Sequence, residues 1–96
     1  MKSISLNELE AIFSLVLDKL KFEEAVEIDI DVDYYRFIPA SYWKDNTSSE
    51  VYSGSMADDI SNLKLLVSDR NRPCTYVDFD RLASVLHAIS EKYNPS

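Results

Sequence analysis

The chain has 96 residues, 46% of them apolar, which suits one small folded domain and leaves no room for a second. Its formal charge is −7, and −6 of that falls within residues 1–33. A surface so acidic repels nucleic acid and anionic lipid, no apolar run is long enough to span a bilayer, and the N-terminus lacks a secretion signal. The expectation is a soluble, cytoplasmic protein with no nucleic-acid or membrane partner.

The first element opens with a capping box, Ser5-Leu6-Asn7-Glu8, flanked by Ile4 and Leu9 at the positions of a hydrophobic staple. This predicts a helix from Leu6 to about Lys21. Leu9, Ile12, Phe13, Val16 and Leu20 recur on one face and form its expected buried stripe. Acids early and Lys19 and Lys21 late suit the helix dipole.

After a short turn at residues 22–24, residues 26–34 alternate apolar and acidic side chains without a break, which predicts a half-buried strand. A slip of one residue would carry Val26, Ile28, Ile30 and Val32 to water and Glu27, Asp29, Asp31 and Asp33 into the core, so the register is strongly specified. The strand is expected to continue to Ile38. The phase changes at Tyr34-Tyr35, pointing to a bulge or bend, and Pro39 ends the ladder. Residues 40–49 read as a polar loop carrying Tyr42 and Trp43, with a turn at Asp45-Asn46, and residues 50–53 as the second strand of an antiparallel hairpin.

Gly54 punctuates the chain before Ser55-Met56-Ala57-Asp58, a second cap-like sequence. Met56, Ile60, Leu63 and Val67 follow at helical spacing, and this helix is expected to end near Ser68. A loop runs to Pro73. Thr75 and Asp78 are both candidates to cap the last helix, whose inner face is assigned to Val77, Leu82, Val85, Leu86, Ile89 and Tyr93. Its outer face is assigned to Asp80, Ser84, His87 and Glu91, and Pro95 closes it. The fold class is therefore α+β, with the order α-β-β-α-α: a small antiparallel sheet, a β-hairpin, covered on one face by three helices.

Three pieces resemble a group of short bacterial proteins of unknown function. They are Asp33-Tyr34-Tyr35 with Ile38-Pro39, Asp58-Asp59 with Leu63 and Leu66, and Val77-Asp78 with the run from Arg81 to Ile89. The resemblance implies a bacterial, cytoplasmic, single-domain protein and carries no activity.

Catalytic and metal chemistry find little support. Asp29-Ile30-Asp31-Val32-Asp33 opens like a calcium loop, but Tyr34 stands where that loop needs Gly and Ala40 where it needs Glu. A looser Mg²⁺ or Mn²⁺ site on the same carboxylates is conceivable, and a metal-dependent enzyme is the least favoured class. His87 is the only histidine and Cys74 the only cysteine, so no zinc set and no disulfide can form within the chain. With a single Gly there is no P-loop or dinucleotide loop. No cofactor is expected.

Six of the eleven aromatics, Tyr34, Tyr35, Phe37, Tyr42, Trp43 and Tyr52, cluster around the hairpin. They close the core or form a contact surface. The leading expectation is a non-catalytic module that binds a basic protein through Glu27, Asp29, Asp31 and Asp33, with Tyr35, Tyr42 and Trp43 as anchors. An immunity-type inhibitor or nucleic-acid mimic is its sharpest form. The alternative is a homo-oligomer, a possible homodimer, pairing through the sheet and the aromatics.

Overall fold

In the computed structural model, residues 1–23, 26–38 and 52–93 are described. The elements are α1 (Leu6–Glu23), β1 (Tyr34–Phe37), β2 (Tyr52–Ser55), α2 (Met56–Ser68) and α3 (Tyr76–Tyr93). The α+β class and the order α-β-β-α-α are as expected, a two-stranded antiparallel hairpin flanked by three helices.

Each helix starts where a local hydrogen bond can hold its first turn. The Ser5 N–H donates to Glu8 Oε1 at 3.2 Å and the Glu8 N–H donates to Ser5 Oγ at 3.0 Å, a complete capping box. Those bonds to Ser5 hold the Glu8 carboxyl below its ordinary pKa. Ser55 caps α2, its hydroxyl accepting from the Asp58 N–H. At α3 both candidates take part. Thr75 precedes the helix, and Asp78, three residues on, reaches back to accept the Thr75 N–H at 3.0 Å.

The strand is shorter and later than the alternation predicts. Among the described residues, 27–33 carry no ladder, and pairing begins at Tyr34, which faces Ser55, and ends at Phe37, which faces Tyr52. Alternation reports which side of a segment is wet, whereas a ladder requires a neighbouring strand, and these are separate conditions. The expected change of phase is present: Val32 is half-buried, Asp33 and Tyr34 are both exposed, and Tyr35 is half-buried. The register through β1 is nonetheless unbulged. The break falls where the Asp33 carbonyl accepts the Met56 N–H at 2.9 Å, tying the segment to the start of α2. Of the expected second strand, residues 50 and 51 lie outside the described residues, Tyr52 and Ser53 pair as expected, and the strand runs on through Gly54 to Ser55.

Packing is concentrated in α2 against α3, β1 against β2, and α2 against β2. Met56 and Ala88 are the buried apolar residues among those described, with Val85, Leu86 and Ile89 half-buried around them. Two assigned faces need correction. On α3, Val77, Leu82 and Tyr93 are exposed, while Asp78 is buried and Ser84 half-buried, because both have polar partners on the inner side. On α1 only Leu20 of the predicted stripe is half-buried, and α1 takes no part in the main packing of the described elements.

Candidate functional site

The four predicted carboxylates share one side of an extended segment. Glu27, Asp29, Asp31 and Asp33 are all exposed, while Ile28, Ile30 and Val32 between them are half-buried. Alternate side chains of an extended chain stand about 7 Å apart, so the carboxylates form a spaced row rather than a cage. Two bonds hold the backbone beneath them. One is the Asp33 carbonyl to Met56, and the other is Lys92 Nζ, which donates to the Asp29 carbonyl at 3.1 Å. Among the described residues no group of three or more His, Cys, Asp or Glu side chains is placed to hold a metal ion.

Of the three expected aromatic anchors, Tyr42 and Trp43 lie outside the described residues, and Tyr35 turns inward. Its hydroxyl donates to Asp59 Oδ2, the same oxygen that accepts Ser84 Oγ at 2.6 Å. Asp59 is only 8% exposed, so its charge is compensated by hydroxyl donors rather than by bulk water. Burial pushes the Tyr35 phenol above its ordinary pKa, and its bond to Asp59 pushes in the same direction. The ring continues into an aromatic row, with Tyr35 and Phe37 centroids 5.6 Å apart and Phe37 and Tyr52 centroids 6.1 Å apart.

Gly54 has a specific place in this arrangement. It faces Tyr35 across the hairpin, and a Cβ there would overlap the tyrosine ring at Cζ, Oη and Cε2. The glycine is therefore a seat for the ring that reaches Asp59.

A second polar cluster sits at the start of α3. Asp78, 2% exposed, accepts from Arg72 at 3.0 Å, from Arg81 at 2.9 Å and from the Thr75 backbone. The Thr75 N–H, then the two arginines, hold its carboxyl down at about 2. Arg72 also reaches Asn62 on α2, so one guanidinium ties the interhelical loop to both helices. Neither cluster is apparent from composition, though each leaves a trace. Asp59 interrupts the apolar spacing of Met56, Ile60 and Leu63, and Asp78 stands three residues after Thr75 in a capping-box position.

Between the hairpin, α2 and α3 lies an open cleft of about 850 Å³, with Tyr35, Asp59 and Ser84 in its wall together with Arg36, Asp80 and His87. The Ser84 hydroxyl is held between the Asp59 carboxylate and the Arg81 carbonyl at 2.7 Å, which fixes its rotamer.

Comparison with family models, curated proteins and solved structures finds no match.

Proposed function

We propose that this chain is a non-catalytic protein-interaction module that holds a basic protein partner along Glu27, Asp29, Asp31 and Asp33. The supporting observation is the row itself: four exposed carboxylates on one side of a segment whose other side, Ile28, Ile30 and Val32, is turned to the molecule. Between Glu23 and Asp33 there are six acids and no base, so the local field is strongly negative. Such a surface speeds encounter with a cationic partner and disfavours anionic ones. The sharpest form is an immunity-type inhibitor or nucleic-acid mimic, whose spaced carboxylates occupy a site built for phosphates. The bacterial and cytoplasmic setting belongs to this same proposal. For the described helices, none is long and apolar enough to cross a membrane.

The test is affinity capture from the source cell with tagged wild type and with Asp29→Lys/Asp31→Lys, at low and moderate salt. A basic protein retained by wild type, lost with salt and lost in the variant is the expected result. Retention that is indifferent to both charge reversal and salt refutes the reading.

A further inference from the structure

We infer that the basic partner is held by strand addition: an extended segment of it, with Lys or Arg at every second position, pairs along residues 27–33. This rests on the basic-partner reading above and names how that partner is bound.

In an extended chain, successive residues aim their N–H and C=O groups at opposite edges. Asp29 and Asp33 stand four residues apart and so share an edge. That edge is turned to the body of the protein. The Asp33 carbonyl accepts the Met56 N–H at 2.9 Å, at the start of α2, and the Asp29 carbonyl accepts Lys92 Nζ at 3.1 Å, from the end of α3. The backbone groups of Ile28, Ile30 and Val32 therefore point to the other edge. Among the described residues none of these three makes a backbone hydrogen bond. A strand edge with no ladder is the surface on which an added strand makes main-chain bonds.

The side chains decide what can be added. A strand laid along this edge sets alternate residues about 4.5–5.5 Å from Glu27, Asp29, Asp31 and Asp33, and the intervening ones beside Ile28, Ile30 and Val32. The first set meets exposed carboxylates, and the second meets half-buried apolar side chains. Lys or Arg alternating with apolar residues fits both faces. A second copy of the same segment does not, because in-register pairing sets carboxylate opposite carboxylate, and like charges directly opposite are destabilising. Exposed ion pairs are individually weak, so the carboxylates select the strand while main-chain bonds and the covered apolar side chains hold it.

The probe is an end-blocked peptide, Lys-Val-Lys-Val-Lys-Val-Lys, titrated to millimolar concentration at low salt into the full chain. Its control is the same peptide N-methylated at every backbone amide, which keeps the charge and removes the donors. Amide hydrogen exchange followed by NMR is expected to slow roughly tenfold or more at Ile28, Ile30 and Val32 with the plain peptide, to stay unchanged at Asp29 and Asp31, and to show no such pattern with the control. Binding of both peptides alike, or protection that does not alternate along the segment, overturns strand addition while the basic-partner reading stands. No binding of the plain peptide also overturns it, and affinity capture then decides the basic-partner reading by itself.

Discussion

Gly54 and Tyr35 illustrate how one backbone position governs a polar contact a whole hairpin away. Adding a methyl group at Gly54 forces the Tyr35 ring off the strand and its hydroxyl away from Asp59. Gly54→Ala should therefore destabilise the protein by roughly 1–3 kcal/mol, the usual cost of overpacking. Tyr35→Phe removes only the hydroxyl, leaving Asp59 with Ser84, and should cost about 1–3 kcal/mol through the under-satisfied buried carboxylate. Urea midpoints of the two variants check both. If the glycine acts through the ring, the combined variant will lose less than the two losses added together.

Asp78 makes a prediction in pH. Its carboxyl is held at about 2 in the folded chain against 3.8 ordinarily, so the folded state binds that proton less readily than the unfolded one. Its contribution to stability is complete above about pH 4 and fades as pH falls toward 2. Asp78→Asn should flatten that limb of the stability profile, as followed by denaturant midpoints at successive pH values.

At the scale of elements, what is local in sequence is also legible in it. The α1 and α2 starts follow from hydrogen bonds spanning three residues, and both are placed by Ser5-Glu8 and Ser55-Asp58. Ser5→Ala should lower stability by about 1 kcal/mol by leaving the Glu8 N–H without its acceptor, with loss of α1 helicity visible by circular dichroism. The ambiguity at α3 was physical, since Thr75 precedes the helix while the capping side chain is that of Asp78, which reaches back to the Thr75 N–H. The carboxylate row was legible as a wet side, because alternation reports sidedness directly. The ladder was not, because it depends on Tyr35 meeting Gly54 and not on the alternating run before it. The inward face of α3 was misassigned for a similar reason. Ser84 turns inward to meet Asp59, 25 residues earlier, and no helical period encodes a partner on another element.

For the whole molecule, the distribution of burial matters more than its sum. The described core is small and sits where α2, α3 and the hairpin meet, while α1 contributes no buried residue to it.

The Arg72 clasp has a kinetic consequence. It joins Asn62, Asp78 and the intervening loop across at most ten residues of chain, so closing it demands little loop entropy. The α2–α3 unit should accordingly order first during refolding, with φ-values near one-half or above for substitutions at its contacts. The hairpin follows once Tyr35 finds Asp59, a pairing 24 residues apart that must close a longer loop.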